Sequence, residues 1–251
     1  MKTDCSALAV TWEASPNHGA RRGDAPINML VLHYTGMVSG AAALARLCSP
    51  DSEVSAHYLV DEAGAIVQSV PEARRAWHAG RACWHGETDI NSCSIGIEIV
   101  NPGHEFDYPE FPDAQVAAVI ALCKEIVGRH AIPPHRVLAH SDVAPGRKID
   151  PGEKFPWARL AGEGIGLWVA PAPIRGGRFF QEGDRGEPVR ALQAMLASYG
   201  YDIDGSAVFG TKTRQAVAAF QRHFRPAKVD GVADVSTIET LHRLLGEVSA
   251  A

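Results

Sequence analysis

The chain has 251 residues, 46% of them hydrophobic and 21% charged, and its 24 basic and 29 acidic side chains leave a net charge of −5. That much apolar material fills a core and excludes a largely disordered chain. With no surplus of Lys and Arg to neutralise phosphates, nucleic acid is not an expected partner. No run reaches the roughly 18 apolar residues of a membrane span, so no transmembrane segment is expected; at about 150 residues per domain, the length predicts one or two domains.

Residues 1–26 are mixed and polar and read as an irregular arm. Residues 27–34 (INMLVLHY) form an apolar run of strand length, the pattern of a buried central strand. A short helix is predicted over 40–48. Residues 56–60 and 65–70 flank Asp61-Glu62-Ala63-Gly64, a hairpin signal with Gly where positive φ is needed. Residues 94–100 (SIGIEIV) read as a strand that Asn101-Pro102-Gly103 stops. The clearest helix covers 112–130, where Val116, Val119, Ile120, Cys123, Ile126 and Val127 recur along one face. A short apolar segment, 137–139, leads into His140. Strands and helices interleave, which predicts an α/β fold, a mixed β-sheet flanked by helices.

Residues 166–180, rich in Pro and Gly, are the best linker candidate. Beyond them, 187–198, 211–223 and 234–245 each read as a helix, with Thr211 and Asp234 as expected N-caps. They predict a small three-helix C-terminal domain. Within it Asp204-Gly205-Ser206-Ala207 and Asp230-Gly231-Val232-Ala233 form a weak internal repeat of turns feeding helices.

The five cysteines are Cys5, Cys48, Cys83, Cys93 and Cys123. They are odd in number, widely spaced and free of any CxxC pair, which fits a reducing compartment better than a disulfide framework, with a Cys83–Cys93 pair left open. The N-terminus carries no apolar signal core, so a cytoplasmic location is the expectation.

Eight of the eleven histidines fall between positions 33 and 140. His33 closes the first buried strand, His140 follows the 137–139 segment, and Asp150 lies ten residues on in a Pro/Gly-rich loop. Strand ends and the loops after them are where rigid scaffolds present functional groups. Two neutral imidazoles and a carboxylate suit Zn²⁺ and leave a fourth position for water. Spacing alone leaves the alternative of simply hydrogen-bonded histidines. Glu98 interrupts an apolar strand and stands opposite Ile95, Ile97 and Ile99. It reads either as the solvent side of a one-sided sheet or as a general base. Lys148, two residues before Asp150, reads as a solvated loop lysine or as a cation for a developing oxyanion. Trp77-His78-Ala79-Gly80 reads as a wall for a sugar or peptide, or as packing with a turn. No Gly-rich phosphate loop and no G-x-S-x-G element is present.

Taken together, VLHYTG (31–36), VSAHYLVDEAG (54–64), RAWHAG (75–80), NSCSIGIEIVNPG (91–103), HSDVAPGRKIDPG (140–152) and FPWARLAGEGIG (155–166) resemble the zinc-dependent N-acetylmuramoyl-L-alanine amidase family of the amidase_2 (AmiD/AmpD-like) type. The wording of HYTG and IVNPG stands closer to the AmiD branch. The resemblance implies that His33, His140 and Asp150 are zinc ligands, Glu98 the catalytic glutamate and Lys148 a lysine near the scissile carbonyl. It implies that Trp77, His78 and Asn91 bind substrate. Phage-type relatives carry a tyrosine before the histidine of the second block; here Ala56 precedes His57, which leaves more of the proton work to Glu98. Residues 178–248 are similar to the three-helix peptidoglycan-binding domain. The resemblance thus implies a catalytic domain over 1–168, a wall-binding domain over 178–248, and peptidoglycan or muropeptides as the partner. It implies zinc-dependent hydrolysis of the amide between N-acetylmuramic acid and L-alanine. A non-catalytic peptidoglycan recognition module is the competing reading, and an intact ligand set argues against it. The wall-binding resemblance also opens a periplasmic or outer-membrane location.

Overall fold

The sheet is built from the apolar runs. In the computed structural model, which describes residues 8–23 and 26–250, the elements are β1 (Val10–Trp12), β2 (His18–Ala20), β3 (Met29–Tyr34), α1 (Gly40–Cys48), β4 (Tyr58–Val60), β5 (Ile66–Gln68), β6 (Arg74–Ala76), α2 (Ile90–Cys93), β7 (Ser94–Ile99), α3 (Asp113–His130), β8 (Val137–Ala139), α4 (His140–Val143), α5 (Trp157–Gly162), α6 (Glu187–Tyr199), α7 (Thr211–Phe224) and α8 (Val235–Ala250). Cys5 lies outside the described residues. Six strands form one mixed sheet in the order β1-β5-β4-β7-β3-β8, with β2 and β6 pairing separately. Only β4 and β5 run antiparallel in the large sheet; β3 is parallel to both β7 and β8.

The period of two along each strand divides the sheet. Leu30 and Leu32 of β3 and Ile95, Ile97 and Ile99 of β7 pack against Val119, Cys123 and Ile126 of α3. Met29 and Val31 take the other face, in a cluster with Leu138, Val143 and residues of the three C-terminal helices. His33 and Glu98, paired in register, belong to that second face. The predicted hairpin forms: Asp61 N–H donates to the Ala65 carbonyl (3.0 Å), and Gly64 sits at φ 85°. A Cβ at Gly64 would lie 2.8 Å from the Ala114 carbonyl oxygen, so the turn also admits α3 closely.

Residues 166–180 run along α8 without being buried by it: Val169 and Ala172 are buried, Ala172 N–H donates to Thr240 Oγ1 (2.9 Å) and Ser236 Oγ donates back to its carbonyl (2.6 Å), while 173–179 are exposed. Asp234 caps α8 as expected, accepting from Thr237 N–H at 2.8 Å. Thr211 does not cap α7. It is the first helical residue, Gly210 holds the cap position, and the Thr211 hydroxyl goes to Glu182 instead. Cys48, Cys83, Cys93 and Cys123 are free, so Cys83 and Cys93 do not pair.

The internal repeat is real, but its equivalent residues differ from the two Asp-Gly pairs. Gln193 Nε2 donates to the Val208 carbonyl (2.9 Å) and Thr213 Oγ1 (3.1 Å), while its Oε1 accepts from Ala207 N–H (2.9 Å). Gln221 repeats the arrangement with Val232 (2.8 Å), Thr237 (3.1 Å) and Gly231 (2.8 Å). Ser206-Ala207 therefore corresponds to Asp230-Gly231, both second residues having positive φ. Asp204-Gly205 lies outside the repeat because a buried glutamine, not the dipeptide, organises each turn.

Candidate metal centre

Three separate elements bring one ligand atom each to a common point. His33 comes from the end of β3, His140 opens α4 directly after β8, and Asp150 sits at the end of the following loop. That loop is closed by the Ser141 N–H donating to the Asp150 carbonyl at 3.0 Å. His33 Nδ1 is 2.8 Å from His140 Nδ1 and 3.1 Å from Asp150 Oδ2, and His140 Nδ1 is 3.0 Å from the same oxygen. All three side chains are buried.

Their outer atoms decide which nitrogens face inward. His140 Nε2–H donates to the Ala79 carbonyl (3.0 Å), leaving a lone pair on Nδ1. His33 Nε2 meets His78 Nδ1 (3.0 Å), His78 Nε2 meets Ser94 Oγ (3.1 Å), and Ser94 Oγ donates to the Ile90 carbonyl (2.5 Å). Since Ser94 spends its proton on Ile90, His78 donates from Nε2 and accepts at Nδ1 the hydrogen bond of His33 Nε2–H. His33 Nδ1 is then a lone pair as well. Two imidazole lone pairs and a carboxylate oxygen fit a divalent cation of borderline softness, and partners of this kind orient metal-ligating histidines. Burial, then the neighbouring His140, lowers the His33 pKa to about 4, so the ring is neutral at pH 7.

Glu98 lies beside this cluster, not in open solvent. Its Oε2 is buried and has no hydrogen-bond partner among the described residues. Burial first, then the charge of Asp150, pushes its pKa well above that of an ordinary glutamate, with Lys148 opposing. Both Glu98 and Lys148 line a cavity of about 560 Å³ with His33, His140, Asp150 and Trp77. Lys148 and Trp77 also line an adjoining cavity of about 180 Å³.

His78 and Asn91 stand further back. The His78 ring lies behind His33, pressed over Gly96, where a Cβ would come within 2.4 Å of it. Asn91 Oδ1 accepts from the N–H groups of His78 (3.1 Å) and Ala79 (2.8 Å), holding the loop after β6 that carries the His140 acceptor. Both reach a cavity wall, His78 the larger one and Asn91 the smaller. Sequence reading missed Arg147 and His104. Arg147 Nη2 donates to the same Ala79 carbonyl (2.5 Å) and lines both cavities. His104 stacks on Tyr108 (4.1 Å between ring centres) at the cavity rim. Nothing local distinguished either from an ordinary loop residue; the run GRKID already contained one cation, Lys148, to attract notice.

A buried His–His–Asp set that could hold a metal ion, beside a glutamate without a hydrogen-bond partner in an open cavity, is the kind of site a hydrolase carries. The chain belongs to the N-acetylmuramoyl-L-alanine amidase family, whose model matches residues 23–153, and a peptidoglycan binding domain model matches residues 185–241. The chain is 40% identical to the N-acetylmuramoyl-L-alanine amidase AmiD of Escherichia coli over 87% of its own length and 82% of that protein's. It is 33% identical to the 1,6-anhydro-N-acetylmuramyl-L-alanine amidase AmpD of Enterobacter cloacae over 58% of this chain and 85% of the relative. Among solved structures, E. coli AmiD in complex with anhydro-N-acetylmuramic acid-L-Ala-D-gamma-Glu-L-Lys superposes with a TM-score of 0.76 at 38% identity, covering 90% of this chain and 91% of that one. AmpDh3 of Pseudomonas aeruginosa with anhydromuramic pentapeptide gives 0.73 at 31% identity, covering 94% and 96%.

Proposed function

We propose that this amidase cuts the amide between the lactyl group of N-acetylmuramic acid and L-alanine in muropeptides and peptidoglycan, with Zn²⁺ held by His33, His140 and Asp150. The observation that carries the reading is the meeting of three buried ligand atoms beside the unpartnered Oε2 of Glu98. The similarity to amidases solved with muropeptides supports the substrate class. A bound zinc supplies Lewis acidity toward the scissile carbonyl and acidifies water. Glu98 Oε2 takes the proton of the attacking water and returns it to the leaving amine of L-alanine. Lys148 faces the same cavity and lends positive charge where the carbonyl oxygen becomes anionic. Trp77 offers an aromatic wall to the sugar or the stem peptide, while His78 holds the His33 ring and Asn91 holds the loop after β6, both at the cleft wall.

We assign residues 1–168 to the catalytic unit and 178–248 to a wall-binding unit. A cytoplasmic location is proposed on the strength of the four free thiols, and cell fractionation tests it. The main test is a digest of purified muropeptides with and without a chelator, read by mass spectrometry. Free L-alanyl peptides that disappear on chelation and return with Zn²⁺ are the expected result. Stoichiometric zinc without cleavage would replace the reading with a recognition module.

A further inference from the structure

Helix α7 belongs to the C-terminal helices, yet one of its faces runs along the loop that carries His140, Lys148 and Asp150. Three contacts mark this face. His223 Nδ1 donates to Asp142 Oδ2 at 2.7 Å. Arg222 lies 3.5 Å from Glu153. Gln215 lies so close to Gly146 that a Cβ there would come within 2.1 Å of the glutamine side chain. Tyr201, in the turn after α6, adds a fourth by donating its hydroxyl to Asp142 Oδ1 at 2.9 Å. Asp142 is fully buried, and its Oδ2 also accepts the Ala139 N–H at 2.8 Å. Its carboxylate therefore joins the strand end before His140, the turn after it and two side chains from another part of the chain.

We propose that Tyr201 and α7 clamp the 140–153 loop in its ligand-presenting shape, so that Tyr201, His223, Gln215 and Arg222 are positioning residues for the metal centre. The inference rests on the metal-site reading above and extends it to residues far from the cleft. A buried carboxylate that loses a donor is left unsatisfied, and the cheapest relief is for the one-turn helix α4 to shift. That shift moves His140. Outer partners of metal ligands typically change metal affinity 10- to 100-fold.

The test uses the full chain. Tyr201→Phe removes one donor while keeping the ring, and Arg222→Ala breaks the Glu153 contact without opening the core. Gln193→Ala serves as the control, because Gln193 is buried among the C-terminal helices and its hydrogen bonds stay within them. Two readouts are taken: zinc affinity by competition with a chromophoric chelator, and amide hydrogen exchange over 137–150 in metal-free protein. The clamp predicts about 10- to 100-fold weaker zinc binding for Tyr201→Phe, faster exchange in that segment, and a smaller shift in the same direction for Arg222→Ala. It also predicts wild-type zinc affinity for Gln193→Ala despite lower stability. Unchanged affinity and exchange in Tyr201→Phe overturn it, and so does an equal loss of affinity in Gln193→Ala. If the wild-type protein binds no zinc, the metal reading falls, and the exchange comparison still decides the clamp.

Discussion

Glu98 stands opposite three isoleucines that β7 buries against α3. Its own face is not the solvent side of a one-sided sheet, because Met29, Val31 and Leu138 on that face are covered by the C-terminal helices and Glu98 lines the cavity beside the ligand set. Glu98→Gln keeps the shape and removes the proton acceptor, so kcat is expected to fall by about 10²- to 10⁴-fold with zinc stoichiometry unchanged. Near-normal turnover in that variant would remove Glu98 from its role. Gly96 gives a second prediction at this scale. Its missing Cβ makes room for the His78 ring, which fixes the proton of His33. Gly96→Ala displaces that ring and is expected to weaken zinc binding by about 10- to 100-fold, measured by chelator competition. These two residues also show what could be read in advance. The charge in an apolar strand was visible, while spacing left the His33–His140–Asp150 set open and the family resemblance pointed to it. The tautomer relay through Ser94 was not visible, because it depends on three segments that only folding brings together.

The C-terminal end of α3 is tied to the sheet by ions as well as by its apolar face. Glu72, buried after β5, accepts from Tyr58 Oη (2.7 Å), His130 Nε2 (2.6 Å) and the Arg129 guanidinium. Burial alone would raise its pKa, but these donors win and lower it. A folded pKa below the unfolded one of about 4.3 contributes stability that is complete above that value. The contribution is lost as pH falls toward the folded pKa. Denaturant unfolding should therefore show wild-type stability dropping below about pH 4. Glu72→Gln should be less stable at pH 7 by about 1–3 kcal/mol and lose less on acidification. An identical acid slope in the two proteins would refute this. The helix itself was legible from its apolar spacing. Its ion cluster was not, since Glu72 and Arg129 look like ordinary surface charges in sequence.

Across the whole molecule, one apolar cluster joins the second face of the sheet to the three C-terminal helices. Trp84 stands in the middle, buried and edge-on to Tyr199 (5.3 Å) and Tyr201 (5.1 Å). At Gly200, φ is 139° and a Cβ would approach the indole to 2.4 Å, so this packing requires glycine. Shared burial predicts a single cooperative unfolding transition in calorimetry, not two. It also predicts that Trp84→Ala lowers the stability of the whole chain by about 3–5 kcal/mol. Two resolved transitions in the wild-type protein would contradict the shared core. The Pro/Gly-rich stretch 166–180 reads as a linker, and residues 173–179 are indeed exposed, but composition gives no sign that Val169 and Ala172 within it are buried.

The sequence by itself showed the long elements and the α/β character, which depend on local periodicity, and the family resemblance pointed to His33, His140 and Asp150; the short strands β1 and β2, inside a stretch that reads as an irregular arm, were not legible because three residues carry no periodicity. The tertiary structure decided which nitrogen of each histidine faces the centre, that Glu98 lines a cavity beside the ligand set, that Gln193 and Gln221 organise the repeated turns, and that α7 packs on the ligand loop. Each of these depends on contacts between residues far apart along the chain. Such contacts leave no pattern in any one segment, because burial and hydrogen bonding are settled only when the layers close on one another.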